Sequence, residues 1–371
     1  MSGRRLALLS ALCLLAALLV AGPARASRVA DECVGDLAFL PEFLVANDAG
    51  GRDLLARHGQ TALDKALADA RDLAGQAESD EQCLAALRGY LAAWRKGHLG
   101  VRTIASATPL NSPTPMRVPS VTHLSPLTAL IIIPSFENRY RLPLAALLKQ
   151  HHAALAARRN WIIDVRGNGG GSDSTYQALL PWLLPNGWIE VGAQWLVTAE
   201  NIEAHKRACA LFSPGDAECI KFMDEAVRRM QSAAAGTFVE QEDGGGWSLQ
   251  RPETVEPRRP RQVVVLIDNL CGSSCEQFVL TVRESFSVKL MGRSNTMGVL
   301  DYSNMRPRDL PSGKRRLLYA TSRSNRLPGF PIDGIGISPD IYLPGPAPAD
   351  NAADVELARR ALEGKLSDRA R

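Results

Sequence analysis

Short runs of apolar residues, rich in Ile and Val, constrain the fold of this chain more than any other feature. The runs are ALIIIP at 129–134, WIIDV at 161–165 and QVVVLI at 262–267, and each is followed by a polar or glycine-rich turn. Runs of this length and composition are typical of buried strands. Amphipathic, helix-like patterns occur at 142–159 and 275–284. This alternation of strands and helices predicts an α/β core.

The remainder of the core follows the same pattern. A fourth strand is predicted at 288–291, and a helix is predicted from Ser174 onward, after the second strand. Residues 181–261 interrupt the alternation with a polar helical stretch at 199–235 and a glycine-rich turn at 244–246. We interpret this segment as an insertion that lies over the site.

The regions outside the core have a different character. Residues 27–100 carry apolar side chains at helical spacing and predict a small N-terminal helical unit. Residues 103–127 are rich in Pro, Ser and Thr and predict a loop. The α/β core with its insertion is predicted over 125–350, and a C-terminal helix or tail over 351–371. No internal repeat is evident.

Size and charge place the chain among ordinary globular proteins. It has 371 residues, of which 46% are hydrophobic, which is enough to bury a large core. The net charge is only +4, and the single local cluster of arginines, at 257–261, lies between prolines. That cluster is more typical of a solvated linker than of a nucleic-acid patch, so no nucleic-acid partner is expected.

The N-terminus has the pattern of a secretory signal peptide covering residues 1–26. Two arginines precede an apolar run at 6–20, and Ala24-Arg25-Ala26 fits the cleavage pattern. The alternative is an uncleaved anchor, but the run is about 15 residues long and a helical span needs about 20. A lipoprotein site at Cys13 is disfavoured by the bulky Leu12. The prediction is a periplasmic or secreted protein without a stable membrane span after cleavage.

Six cysteines remain once the predicted signal peptide is removed. An even number in an exported chain favours disulfides, although six cysteines allow 15 pairings. Separation along the chain suggests Cys33–Cys83 and Cys209–Cys219. The last two, Cys271 and Cys275, flank Ser273 and could either pair with each other or remain buried thiols.

A glycine run follows the second predicted strand, at 166–171 (RGNGGG). It could be an ordinary loop or a phosphate cradle, but neither phosphate-binding spacing, GxGxxG or GxxxxGK[ST], is present. A third interpretation is an oxyanion hole, because glycines let backbone N–H groups approach a substrate carbonyl.

A second motif, DNLCGSSCEQF, follows the third predicted strand at 268–278 and places two serines at a strand-to-helix turn. These serines could simply cap the helix. Alternatively, one of them is a nucleophile that gains from the positive end of the helix dipole, and the next N–H serves the oxyanion.

Four blocks in order, IIDVRGNGGGS, VVVLIDNLCGSSCEQF, MGRSNTMG and DGIGISPDI, resemble the tail-specific, or C-terminal-processing, serine protease family. The resemblance covers about Ala129 to Leu343. It implies a ClpP/crotonase-type α/β fold. In this family the nucleophile lies three residues before the helix glutamate, so Glu276 identifies Ser273. The oxyanion donors implied by the resemblance are the N–H groups of Ser274 and Gly170.

The chain departs from this family in two respects. No PDZ-like segment fits between the helical unit and the first core strand, which puts tail specificity in question. The classical bacterial members carry a catalytic lysine after the serine, whereas the matching stretch at 296–299 (TMGV) has none. Lys289 and Lys314 are interpreted as ordinary surface residues.

A branch that resembles the tricorn core uses histidine as the base. Its histidine follows the N-terminal helical unit, where this chain has His98, and its acidic residue corresponds to Asp333. The resemblance thus implies a triad of Ser273, His98 and Asp333. The other histidines match none of the blocks: His58, His123, His151, His152 and His205. No HExxH or CxxC spacing is present, so neither a metal site nor a cofactor is expected.

These observations together predict an exported serine endopeptidase that acts on peptides or proteins. One alternative is a peptide-binding or scaffold protein on the same fold that has lost catalysis, which the absent lysine would favour. Another is a crotonase-like acyl-CoA enzyme, which would share only the fold and fits export poorly. The sequence does not indicate an oligomeric state.

Overall fold

The structure is a computed structural model that describes residues 21–104, 118–242, 245–345 and 351–365. The chain divides into two compact units, one of Met1–Ser112 with Met305–Thr321 and the other of Pro113–Asn304 with Ser322–Arg371. Most of the predicted signal peptide lies outside the described residues. None of the described helices is both long and apolar enough to cross a membrane.

The first unit is mainly helical. Its helices are α1 (Ala21–Asn47), α2 (Gly51–His58), α3 (Gln60–Gly75) and α4 (Asp80–Trp94), followed by strand β1 (Gly100–Thr103). Helix α4 begins where the Ser79 hydroxyl accepts the Gln82 N–H. Its apolar residues recur at helical spacing and are buried, including Leu84, Leu87 and Leu91. The predicted Cys33–Cys83 disulfide is confirmed and joins α1 to α4.

The second unit is built on a six-stranded sheet. Its strands are β2 (Ser120–His123), β3 (Thr128–Ile132), β4 (Asn160–Asp164), β9 (Gln262–Ile267), β10 (Val288–Gly292) and β13 (Ile341–Tyr342), in the spatial order β13-β10-β9-β4-β3-β2. All neighbours are parallel except the edge strand β2, which runs antiparallel to β3. The four predicted core strands are present to within two residues at each end, and the predicted α/β fold is confirmed.

Helices cover both faces of this sheet. They are α5 (Arg141–Gln150), α6 (His152–Ala156), α7 (Leu180–Leu183), α11 (Ser274–Arg283) and α12 (Ala352–Leu362). Alternate residues of one strand belong to different cores, since Ile163 packs into one apolar cluster and Ile162 into another. A strand buried on both faces must be apolar throughout, which explains the unbroken apolar runs in the sequence.

The inserted segment contains both helices and strands. Its helices are α8 (Ala199–Lys206), α9 (Ala208–Phe212) and α10 (Ala217–Gln231), and its strands are β5 (Trp188–Val191), β6 (Ala193–Leu196), β7 (Phe238–Glu240) and β8 (Trp247–Gln250). The predicted Cys209–Cys219 disulfide is confirmed and joins α9 to α10. The helical stretch was predicted, whereas these four strands, and β2 inside a predicted loop, were not.

Two further strands link the units along the chain. They are β11 (Tyr302–Asp309) and β12 (Arg315–Ser324). In the first unit, residues 315–318 pair antiparallel with β1. In the second unit, residues 322–324 pair antiparallel with β6.

Candidate active site

The turn that carries the predicted nucleophile lies at the carboxyl end of β9, where the chain enters α11. Ser273 has φ 56° and ψ −125°, a conformation that L-residues rarely adopt and that costs about 1–3 kcal/mol. Only three non-glycine residues in the described part of the chain have positive φ, namely His98, Ser273 and Asn304. Two of the three are predicted catalytic residues, and such strain tends to cluster at active sites.

A buried carboxylate holds this turn in place. Glu276 is fully buried and accepts hydrogen bonds from the Ser273 N–H at 3.2 Å, the Gly298 N–H at 2.8 Å and the Val299 N–H at 2.8 Å. The Thr296 hydroxyl donates a fourth at 2.5 Å. Glu276 therefore ties the nucleophile to the 296–299 segment. In the sequence Glu276 served only to identify Ser273, and no local pattern indicated this role.

A disulfide closes the same turn. Cys271 and Cys275 are paired, and both are fully buried. The sequence left this pair undecided. The bridge encloses Gly272, Ser273 and Ser274, so the predicted nucleophile is the middle residue of a five-residue ring.

The predicted glycine segment lies directly against the nucleophile. A Cβ atom on Gly170 would lie 2.8 Å from the Ser273 Cβ and 3.0 Å from the Ser274 N, so only glycine fits there. The two loops are also joined by the Gly272 N–H, which donates to the Asn168 carbonyl at 3.1 Å. Because β4 and β9 are parallel neighbours, the loops at their carboxyl ends meet.

The N–H groups around Ser273 differ in availability. Ser274 is the first residue of α11, and none of the described residues accepts its N–H. The Gly170 N–H, in contrast, donates to Asn168 Oδ1 at 2.9 Å. The Phe136 N–H donates to the Gly170 carbonyl, and the Gly171 N–H belongs to the same trans peptide unit, so it points to the opposite side.

Asp333 lies in the same unit and is fixed by a reciprocal arrangement of carboxylates. Its Oδ1 accepts the N–H groups of Leu300 and Asp301, each at 2.6 Å. Asp301 Oδ2 in turn accepts the N–H groups of Ile332 and Asp333, at 2.6 and 2.8 Å. Leu300 and Asp301 directly follow the 296–299 segment that Glu276 holds. The same stretch of chain thus also positions Asp333. Sequence spacing could not indicate this exchange between two distant loops.

His98 belongs to the first unit, whereas Ser273 and Asp333 belong to the second. It is half-buried, with φ 44°, directly after Gly97. Its carbonyl accepts a hydrogen bond from Arg95 Nη2 at 3.1 Å. Arg95 forms a buried, two-pronged ion pair with Asp48, at 2.5 and 2.7 Å. Asp48 also accepts the N–H of Ala320. This ion pair fixes the turn that presents His98.

Several other histidines are engaged elsewhere. His205 is fully buried between the Asn201 carbonyl and the Trp195 ring. His152 pairs with Glu256. His123 lies opposite Ala129, at the amino end of β3, whereas Ser273 follows the carboxyl end of β9.

The two lysines considered above also have ordinary surroundings. Lys314 pairs with Glu32 at 2.6 Å within the first unit. Lys289 is exposed on β10, beside Val264 of β9. Neither lysine therefore has the surroundings of a buried catalytic amine.

An acidic cleft of about 120 Å³ lies beside the first turn of α11. Asp173 lines this cleft and shares a hydrogen bond with the Ser274 side chain. Glu190 lines it as well, and desolvation, with repulsion from Glu242 and Asp173, raises the pKa of Glu190 to about 7. No sequence motif marked these residues, because β5 was not predicted.

Comparisons with known proteins identify the family and the fold. The sequence profile of peptidase family S41 matches residues 128–343, which is more than half of the chain. No curated protein matches the sequence significantly.

Two solved structures show the likeness in fold. A structure of mature CPAF complexed with lactacystin has 13% identity and a TM-score of 0.62, and the match covers 91% of this chain and 98% of that one. A lipoprotein from Streptococcus agalactiae has 13% identity and a TM-score of 0.52, covering 90% of this chain and 97% of that one. At such identities the likeness shows the fold, while the profile match shows the family. The chain belongs to peptidase family S41 and is a serine-type peptidase, with peptides or proteins as substrates.

Proposed function

We propose that this protein is an exported endopeptidase in which Ser273 is the nucleophile, His98 the general base and Asp333 the residue that orients His98. The observation that carries the proposal is the conformation of Ser273. It is a half-buried serine in a strained turn, immediately before an N–H that no described residue accepts. A cap residue does not need positive φ, whereas a nucleophile presented to a substrate commonly does.

The chemistry proceeds in two steps. The Ser273 Oγ attacks the carbonyl carbon of the scissile bond, and His98 takes the hydroxyl proton. The tetrahedral oxyanion is stabilised by the Ser274 N–H and by the glycine segment. His98 then gives its proton to the leaving amine, which releases an acyl-enzyme. A water molecule, deprotonated by His98, hydrolyses this ester and regenerates Ser273.

The second oxyanion donor comes from the Gly170–Gly171 segment. The resemblance implies Gly170, but its N–H is bonded to Asn168 and would have to leave that acceptor. The Gly171 N–H points away from Phe136 without such a change. Gly170 then contributes by its lack of a side chain, which lets the loop lie against Ser273.

Histidine rather than lysine is the proposed base because neither candidate lysine has suitable surroundings. Lys314 is paired with Glu32, and Lys289 is exposed on β10. A neutral imidazole, with an ordinary pKa of about 6.5, is suited to this role near neutral pH.

Export to the periplasm or the medium is supported by two observations. The sequence begins with the pattern of a signal peptide. The structure contains three disulfides, which persist in oxidising compartments and are rare in the cytosol. N-terminal sequencing of the protein recovered from the periplasm tests this part, with a mature chain that starts at Ser27 as the expected result.

The function is tested by comparing the wild-type protein with Ser273→Ala and with Ser285→Ala, a matched control whose hydroxyl bonds only to Ser287. Hydrolysis of casein and of a peptide library should fall at least about 10⁴-fold in Ser273→Ala. Thermal stability should be retained, since one hydroxyl is removed and the backbone strain is unchanged. Equal activity in wild type and Ser273→Ala would place the nucleophile elsewhere. No hydrolysis by the wild-type protein would favour a binding role.

A further inference from the structure

We propose that the Cys271–Cys275 disulfide is a positioning device for the nucleophile, so that the peptidase is competent only after this bond has formed. The proposal rests on the role given to Ser273 above. It adds that oxidation of the turn is a maturation step of the active site. The chain would then remain inactive in a reducing compartment and become active after transfer to an oxidising one.

The first observation is the place of the bridge. Of the three disulfides, this one alone encloses the nucleophile, with Ser273 at the centre of the ring. Cys271 is also bonded through its backbone, since its N–H donates to Asp268 and its carbonyl accepts the Met297 N–H. The bridge therefore joins the end of the β9 loop to the first turn of α11.

The second observation is the packing around the sulfur atoms. Both cysteine side chains are fully buried within the main apolar core of the second unit. When the bond is broken, two thiol sulfurs must move apart to van der Waals separation. A close-packed interior has no spare room for them, so the backbone of the turn has to shift. The backbone between the two sulfurs is Gly272, Ser273 and Ser274.

The third observation is the conformation of Ser273 itself. Positive φ at a serine persists only when the surroundings over-determine it. Glu276 supplies one constraint through the Ser273 N–H, at 3.2 Å. The bridge supplies a constraint on both sides of the residue. A displacement of about 1 Å at a reacting group can lower the rate about 100-fold.

The maturation reaction is thiol–disulfide exchange with an oxidised dithiol. The Cys271 and Cys275 thiols lose two protons and two electrons and form one S–S bond, while the disulfide of the oxidant breaks and becomes two thiols. A reduced dithiol drives the reverse reaction.

The experiment compares paired substitutions at each bridge in the full chain. Cys271→Ala/Cys275→Ala is the test variant. Cys209→Ala/Cys219→Ala is the matched control, since it removes another short-loop disulfide from the same unit. The rate of covalent labelling by a fluorophosphonate, which reacts with activated serines, is measured together with kcat, KM and Tm.

We expect the test variant to lose about 10- to 100-fold in labelling rate and in kcat, with little change in KM. We expect the control to label at the wild-type rate even if its Tm falls. Wild-type labelling by Cys271→Ala/Cys275→Ala would overturn the proposal. An equal loss in both variants would also overturn it, because the effect would then be general destabilisation.

A second measurement covers the case in which the test variant does not fold. Wild-type chain is unfolded with a dithiol, refolded with the dithiol present, and then reoxidised. Labelling should return in step with the Cys271–Cys275 linkage, as followed by mass mapping. A folded, fully reduced chain that labels at the oxidised rate would contradict the proposal. If the oxidised wild-type protein neither labels nor hydrolyses peptides, the proposed function fails first and this inference falls with it.

Discussion

The Ser273 turn and the His98 turn both hold a residue at positive φ, but they are held by different contacts. Each presents a polar side chain from a residue with positive φ, at 56° and 44°. The first is held by a covalent bridge and by a buried carboxylate that accepts four hydrogen bonds. The second is held by a buried ion pair, Arg95–Asp48. The nucleophile should therefore be sensitive to redox state, and the base to loss of a charge.

After Ser273→Ala, the largest effect should come from substitution of the base. His98→Ala should lower kcat by about 10²–10⁴-fold, because general base catalysis is lost while the fold is intact. Lys289→Ala and His152→Ala are the controls, and both should retain wild-type rates. Steady-state hydrolysis of one peptide by all three variants decides the matter. An active His98→Ala protein together with an inactive Lys289→Ala protein would assign the role of base to the lysine and not to His98.

Loss of the Arg95–Asp48 ion pair, which fixes the His98 turn, should lower the free energy of unfolding. Asp48→Ala leaves the buried Arg95 charge without its partner, and breaking such a pair costs about 3–5 kcal/mol of unfolding free energy. Urea denaturation measures this loss. Asp69→Ala, which removes an exposed partner of Lys65, is the control and should cost less than about 1 kcal/mol. If both substitutions cost the same, the ion pair does not hold the His98 turn.

Substitution of Glu276, the carboxylate that holds the Ser273 turn, should affect kcat more than KM. Glu276→Gln replaces one acceptor oxygen by an NH₂ group that faces other donors, so the hydrogen bonds to Ser273 and to the 296–299 segment cannot all be kept. We expect kcat to fall about 10- to 100-fold with a nearly constant KM. Glu218→Gln, at an exposed pair with Arg141, is the control. A change confined to KM would argue against a positioning role.

The smallest effect concerns the acidic cleft and depends on pH. Below about pH 4.5 Glu190 is protonated in the folded and unfolded states, and above about pH 7 it is ionised in both. Between these values only the unfolded chain has released the proton, so this residue makes folding less favourable as the pH rises. Glu190→Gln should therefore stabilise the protein at pH 8 by about 1–2 kcal/mol relative to pH 4.5. Urea midpoints at the two pH values test this, and an equal shift at both would contradict it.

Much of the core was predictable from the sequence because local chemistry specified it. Residues 263–267 are apolar and buried, and a strand that is buried on both faces has to be apolar at every buried position. The helix that follows begins at the turn where the paired serines were expected. The disulfides Cys33–Cys83 and Cys209–Cys219 followed from separation alone.

The parts that were not predicted depend on contacts between distant segments. Strands β5 and β8 pair across about 60 residues, and their apolar residues Ile189, Trp247 and Leu249 are exposed, so neither strand has the unbroken apolar run of a buried strand. The 305–321 segment belongs to the first unit although it lies far along the chain. The reciprocal bonds between Asp301 and Asp333 likewise arise only from the folded arrangement.

The most direct test of the proposed catalytic pair is the pH dependence of Ser273 labelling by a fluorophosphonate, followed by peptide mapping of the adduct. We expect a single adduct on Ser273, with a rate that rises with pH through the range where histidines titrate, about 6.5, because the base must be neutral to accept the proton. In His98→Ala the rate should be lower by orders of magnitude above about pH 6.5, the gap should close at lower pH, and the rise should vanish. An adduct on another serine would contradict the role of Ser273 as nucleophile. The same pH profile in His98→Ala would contradict the role of His98 as base.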